Sequence, residues 1–181
     1  MKRIDFIKKF GLLSGSASLI PSNLLATSNL LKKLLPEVGI QLFSLPLLLN
    51  KNFEKSISML SNMGYSYLEF FGPYYFSSPS VKDTWKKYSF FPESDNPFSG
   101  FYGNSGKEVK SILSNYKMSS PSIHTDLETL ENHMGELAKG AQECGAKYVV
   151  LPSIPADQRQ NLDQYKRMAD RFNSIGEAAK S

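Results

Sequence analysis

The chain has 181 residues, of which 41% are hydrophobic and 21% charged, a composition that excludes a disordered, collagen-like or disulfide-rich protein. The formal net charge of +4 comes mainly from residues 1–9, which hold four basic residues and one acidic residue. Because the rest is close to neutral and nucleic-acid binding needs a basic face, we expect no nucleic-acid partner. The single cysteine, Cys144, cannot form an internal disulfide, and we expect a buried side chain rather than a reactive thiol.

Residues 1–26 have the features of an export signal. A basic start precedes an apolar run of small residues from Phe10 to Ile20, and Ala26 suits a cleavage site. The run is too short and too rich in serine and glycine to cross a bilayer, so we expect no stable membrane span. Residues 27–36 are then a connector to the domain.

The first residues resemble a twin-arginine export signal. Arg3 is present, but Ile4 stands where the second arginine belongs, so the resemblance leaves the export route open. We predict an exported protein of the periplasm or cell envelope. The alternative is that these residues form an amphipathic N-terminal helix of the domain.

From residue 37 to residue 181, short apolar strands alternate with amphipathic helices, which predicts an α/β fold with a parallel sheet. The predicted strands are Val38–Leu45, Tyr67–Phe71, Ser122–Asp126 and Lys147–Leu151. Four such units are either half of an eight-unit TIM barrel or a small doubly wound sheet. No glycine-rich phosphate loop follows any strand, so the nucleotide-binding form of the open sheet lacks its signature.

The helix patterns predict buried faces and helix ends. Ser105 and Glu108 form a capping box at the start of the second helix, and Thr125 and Glu128 offer another at the start of the third. The third helix is predicted to continue to Gly145 without interruption. The residues predicted to face inward include Phe53, Ile57, Leu60 and Met63, then Val109, Ile112, Leu113 and Tyr116, then Leu127, Leu130, Met134, Leu137, Ala141 and Cys144, and finally Leu162, Tyr165, Ala169, Phe172 and Ile175.

A loop insertion at residues 73–102 contains ten aromatic residues. So many rings after a strand suit a lid over a sugar or polyol, whose C–H faces stack on aromatic side chains. A cluster that packs on itself is the alternative, and the two are compatible.

Strand alternation predicts a polar face opposite the helix-packed one. It carries Gln41, Phe43, Glu69, Phe71, His124 and Asp126. We interpret Glu69 and His124 as site residues, because two ionisable groups at matching depth are costly to bury; mutual pairing is the alternative. Asp126 is better explained as a helix cap. His124 and Asp126 could also hold a metal ion, but two ligands are a weak signal.

Four segments in this order resemble the sugar phosphate isomerase/epimerase family, whose fold is a xylose isomerase-like TIM barrel. They are Gly39–Leu45, Met63–Gly72, Pro121–Asn132 and Cys144–Pro152. The resemblance covers nearly all of residues 37–181 and implies the N-terminal half of a barrel. It implies proton transfer on a sugar or polyol around a divalent metal such as Mn, Mg, Co or Zn.

The family's metal ligands come from later strands, so we expect the metal only in a complete barrel and none in this chain. The resemblance places Glu69 and His124 in the substrate pocket, and Gln41, Phe43 and Phe71 share their face. We therefore expect an exported isomerase/epimerase-like protein that is truncated and inactive alone. The alternative is a non-catalytic carbohydrate-binding or remnant half-barrel. Either would self-associate or need a partner half-barrel, because its edge strands lack neighbours.

Overall fold

Four parallel strands form one sheet within residues 37–87 and 100–179, which are the residues that the computed structural model describes. The strands are β1 (Val38–Gln41), β2 (Tyr65–Phe71), β3 (Ser119–His124) and β4 (Tyr148–Val150), and each pairs with the next one along the chain. This is the predicted succession of parallel βα units. The predicted export signal and connector lie outside the described residues.

The helices of the described residues follow the strands and the loops between them. They are α1 (Pro46–Lys51), α2 (Phe53–Asn62), α3 (Pro79–Lys86), α4 (Gly106–Asn115), α5 (Leu127–Asn132), α6 (Met134–Cys144) and α7 (Leu162–Ala178). Short 3-10 helices lie at Leu42–Ser44 and Ala156–Gln158. In this part of the chain no helix is both long enough and apolar enough to cross a membrane.

The core lies between one face of the sheet and the helices. Its most buried residues include Leu68, Phe70 and Ile123 from the strands and Ile57, Leu60, Val109, Leu113 and Leu137 from α2, α4 and α6. Burying each such side chain stabilises the fold by about 1.5–3 kcal/mol. Cys144 is buried, as predicted, and its burial raises the pKa of the thiol.

The first strand is shorter than predicted. It ends at Gln41 rather than Leu45, because the Gln41 side chain accepts a hydrogen bond from the backbone N–H of Phe43 and caps a 3-10 turn. Pro46 then begins α1, a position that suits proline because its missing N–H would have no helical partner there. β3 likewise ends two residues before the predicted end, since Asp126 already caps α5.

The predicted third helix is two helices, α5 and α6, that meet at His133, whose φ of −131° is not helical. Asn132 and Gly135 are poor helix formers beside it, which favours the interruption. The apolar steps continue across the break, because both helices are buried on the core side. Gly145 ends α6 in a left-handed conformation, with a φ of 86°, as expected for a helix-terminating glycine.

Capping was predicted correctly at one helix and wrongly at another. The Ser105–Glu108 capping box is present at the start of α4. The Thr125–Glu128 box is absent, because Asp126 caps α5 and Glu128 instead accepts hydrogen bonds from the hydroxyls of Ser78 and Ser80.

Four residues predicted to face inward are exposed, and one of them is Ala169. Met63 is 66% exposed because it follows the last residue of α2. Leu162 and Tyr165 are 68% and 48% exposed, since the buried residue of α7 is Met168 and Ile175 is only partly buried against the core. Periodicity identified apolar residues on α7. It did not show that, among the described residues, no other element covers this face.

The contact between α4 and α6 depends on Gly106, because glycine has no side chain. A Cβ atom on Gly106 would lie 2.7 Å from the Cβ of Glu143 and 3.1 Å from the carbonyl oxygen of Gly140. Real Cβ atoms do not approach each other so closely. Gly106 therefore sets the spacing between α4 and α6.

Replacing Gly106 should weaken the fold, whereas replacing a comparable glycine should not. We expect Gly106→Ala to lower the free energy of unfolding by about 1–3 kcal/mol through overpacking. Gly135, also in the first turn of a helix, has open space around it, and Gly135→Ala should stabilise by up to about 1 kcal/mol. Urea unfolding of both variants measures the difference, and equal effects would contradict the packing argument.

Candidate functional site

Polar side chains gather at the carboxyl ends of β1, β2 and β3. In the parallel register Gln41 lies beside Glu69, and Glu69 beside Ser122. Two residues further along each strand, Phe71 lies beside His124. Residues in register on parallel strands share a sheet face, so these side chains lie opposite the buried core residues of the same strands.

Glu69 and His124 contact each other across β2 and β3. Oε1 of Glu69 lies 2.8 Å from Nε2 of His124, and the two side chains are 26% and 22% exposed. The hydroxyl of Ser122 donates a hydrogen bond to the other carboxylate oxygen. Both oxygens of Glu69 are thus satisfied, which makes the carboxylate a fixed support for the imidazole.

Gln41 determines the orientation of the imidazole from its other side. Its amide oxygen accepts the N–H of Phe43 at 2.7 Å, so its amide nitrogen faces His124 and lies 3.4 Å from Nδ1. An N–H group can donate to Nδ1 only if that nitrogen carries no proton. In the neutral form of the ring, this arrangement matches a proton on Nε2, directed at Glu69.

Aromatic rings form a second wall beside these polar groups. The ring centroid of Phe43 lies 5.3 Å from that of Phe71 and 6.1 Å from that of Trp85, in edge-to-face arrangements. Phe71 and Trp85 lie 5.8 Å apart. All three rings line a cavity of about 350 Å³ together with Gln41 and His124.

Most of the predicted site residues meet at this cavity. Gln41, Phe43, Phe71 and His124 line it, and Glu69 is bonded to His124 behind them. Their role in binding stays a prediction. The sequence-based prediction did not include the cavity residues Trp85, Thr125 and Ser153. Trp85 belongs to the aromatic insertion, Thr125 to the third predicted strand, and Ser153 follows the fourth.

The hydroxyl of Thr125 is an unusual feature of this cavity. Thr125 is 3% exposed, and its Oγ1 has no hydrogen-bond partner within the part of the chain that the structure describes. Buried hydroxyls normally have a partner. An unpaired hydroxyl on a cavity residue is a group that a polar ligand could satisfy.

The aromatic insertion packs on itself and against the core, which confirms the predicted cluster; its use as a lid stays a prediction. Tyr74, Phe76, Phe101 and Tyr102 pack together or against the core, and the hydroxyl of Tyr74 donates to the backbone carbonyl of His124 at 2.9 Å. Burial raises the pKa of both Tyr74 and Tyr102. The insertion also forms α3, which was predicted as loop and which carries Trp85 to the cavity. Its remaining aromatic residues, Tyr88, Phe90, Phe91 and Phe98, lie outside the described residues.

The residues present do not suit a metal ion. Asp126 is occupied as a helix cap, since its carboxylate accepts the N–H and the hydroxyl of Thr129 at 2.8 and 2.7 Å. Glu69 and His124 satisfy each other. Within residues 37–87 and 100–179, no three His, Cys, Asp or Glu side chains are grouped to hold a metal.

Glu128 attaches α3 to α5 and so supports the aromatic wall. Its carboxylate accepts hydrogen bonds from the hydroxyls of Ser78, which precedes α3, and Ser80, its second residue. These bonds lower the pKa of Glu128 below its usual range. The link is therefore strongest when Glu128 is ionised.

The tautomer of His124 can be measured directly, because the chain has only two histidines. Where the rings are neutral, we expect long-range ¹H–¹⁵N NMR to show His124 protonated on Nε2 alone. His133 lies outside the cavity and should show a mixture of tautomers. Glu69→Leu should make His124 resemble His133; an unchanged His124 spectrum would exclude Glu69 as the group that orients the ring.

Acid should loosen the attachment of α3. Because the folded pKa of Glu128 is below the unfolded value, its bonds stabilise above the usual carboxyl pKa of about 4.3 and are lost as pH falls through the lowered value. Replacing Ser78 and Ser80 by alanine should raise the pKa of Glu128, as measured by NMR titration. Glu108, whose pKa is lowered by the N–H of Ser105, is the internal control and should not move.

Comparison with known proteins identifies the fold. No family model matches the chain, and neither does any curated protein. The chain is similar to the crystal structure of a sugar phosphate isomerase/epimerase from Parabacteroides distasonis ATCC 8503, with a TM-score of 0.57 and 21% sequence identity. The match covers 80% of this chain and 47% of that one, so the chain spans about half its length. The predicted α/β fold with four TIM-barrel-like βα units is therefore confirmed.

Proposed function

We propose that this chain is a sugar- or polyol-binding half of an isomerase/epimerase-type barrel, and that the cavity at the carboxyl ends of β1–β4 is its binding site. One observation carries the proposal. The ordered Gln41–His124–Glu69 array lies beside the rings of Phe43, Phe71 and Trp85. Active sites of TIM barrels lie at this end of the strands.

The two walls of the cavity match the two kinds of surface on a sugar. Ring C–H groups pack on aromatic faces, while hydroxyls exchange hydrogen bonds with polar side chains. His124 offers Nδ1 as an acceptor, because its contact with Gln41 is long at 3.4 Å and a ligand hydroxyl could replace it.

Catalysis needs more than these residues. Isomerisation or epimerisation removes a proton beside a carbonyl, which requires a positioned base and stabilisation of the resulting negative charge. Glu69 is occupied by His124 and Ser122, and the site does not suit a metal. We therefore propose that this half binds and orients the substrate, and that the proton-transfer groups come from another half-barrel. Export directed by residues 1–26 is part of the same proposal.

A second candidate function is carbohydrate binding without catalysis. It is favoured because the two carboxylates near the cavity already have partners within the fold: Asp126 caps α5, and Glu69 supports His124. In that case the chain would bind sugars with or without a partner half-barrel and would never gain isomerase activity.

Ligand binding can be followed at the cavity itself, because Trp85 is the single tryptophan of the chain. Titration of the full chain with D-fructose, D-glucose, D-ribose and xylitol should change Trp85 emission with at least one of them, since a stacked ligand replaces water at the indole. The NMR signals of His124 should move with the same midpoint, whereas those of His133 should not.

Variants separate binding from folding. His124→Ala should weaken binding about tenfold or more by removing the central polar group, whereas His133→Ala, outside the cavity, should leave it unchanged. Thermal unfolding of both variants checks that the fold is retained. If none of the four sugars changes either probe, the proposed function is wrong.

A further inference from the structure

We infer that the cavity takes an uncharged sugar or polyol and discriminates against its phosphate ester. The inference rests on the proposed function and narrows its substrate class. The first observation is the lining: no lysine or arginine of residues 37–87 and 100–179 lines the cavity. A phosphate dianion needs cations or free N–H donors to replace its hydration, so the lining favours a neutral ligand.

Three basic side chains of the described residues are paired outside the cavity. On α3, Lys82 donates to the carbonyl of Tyr75 at 2.6 Å and Lys86 pairs with Asp83 at 3.0 Å. Arg171 is held by both carboxylate oxygens of Glu131. None of these three side chains lines the cavity.

The part of the insertion that the structure leaves undescribed adds no cation of its own. Residues 88–99 contain neither lysine nor arginine, but they include Glu93 and Asp95. Whatever position that segment takes, its own side chains can add only negative charge. It therefore supplies no cationic side chain for a phosphate.

Helix N-termini are the other common phosphate site, and the protein's own side chains occupy three of those that follow the strands. Asp126 caps α5 and places a carboxylate where a phosphate would bind. Asn161 caps α7, and Asp163 lies in its first turn. The 3-10 turn after β1 is capped by the amide oxygen of Gln41. An incoming anion would have to displace these groups.

Glu69 adds direct repulsion. Its carboxylate is bonded to His124. Together with Asp126, it places two carboxylates at the polar end of the cavity, which opposes a phosphate ester and leaves a neutral polyol unaffected.

The test compares matched pairs on the full chain: D-fructose with D-fructose 6-phosphate, D-glucose with D-glucose 6-phosphate, and D-ribose with D-ribose 5-phosphate. Trp85 emission and the His124 NMR signals report binding. We expect each ester to bind at least tenfold more weakly than its parent sugar, and inorganic phosphate not to bind. An ester that binds as well as its parent overturns this inference but leaves the proposed function standing; no binding by any pair member overturns both.

A charge introduced into the cavity tests the cause. Ser153→Lys places a cation on the lining and should reduce the discrimination against the ester at least threefold. Ser174→Lys adds the same charge on the exposed side of α7, outside the cavity, and should not. Equal ratios in both variants would show that charge in the lining does not control the selection.

Discussion

The contact between Glu69 and His124 links the sheet to the site, and its geometry follows from parallel pairing. Parallel strands bring their carboxyl ends to one edge, so residues far apart in sequence meet there. The in-register neighbour of Glu69 is Ser122, and His124 lies two residues further along β3. The Glu69 carboxylate contacts both of them. A slip of either strand by one residue would move its partner into the core.

That dependence explains why the core beneath the site is so uniform. Leu68, Phe70 and Ile123 alternate with the site residues and are almost completely buried. Each apolar side chain that anchors a strand in the core also fixes which neighbours face the cavity. The aromatic insertion strengthens the same arrangement, because the hydroxyl of Tyr74 bonds the carbonyl of His124. Core packing on one face of the sheet therefore also fixes the geometry of the site on the other face.

The sequence allowed prediction of whatever depends on local pattern. Strand alternation separated Glu69 from Leu68, and the Ser105–Glu108 spacing identified a capping box that forms within four residues. Features that depend on tertiary partners were missed. The partners of Glu128 are Ser78 and Ser80, about 50 residues away, and no local pattern distinguishes that use from a capping box. Trp85 was counted among lid aromatics, but only the fold shows that it meets Phe43 and Phe71.

Charge distribution gives the two sides of the fold different chemistry. An open groove of about 580 Å³ between the exposed sides of α4 and α6 is lined by Lys107, Lys110 and Lys139. The smaller cavity at the strand ends has no lysine or arginine among the described residues of its lining. Because the chain after residue 9 is nearly neutral, this difference comes from placement rather than from composition. A binding site can select a neutral ligand by excluding counter-charges from its wall as well as by adding contacts. In the proposed site, the carboxylate that contacts the imidazole also contributes negative charge, so positioning and selection would both depend on Glu69.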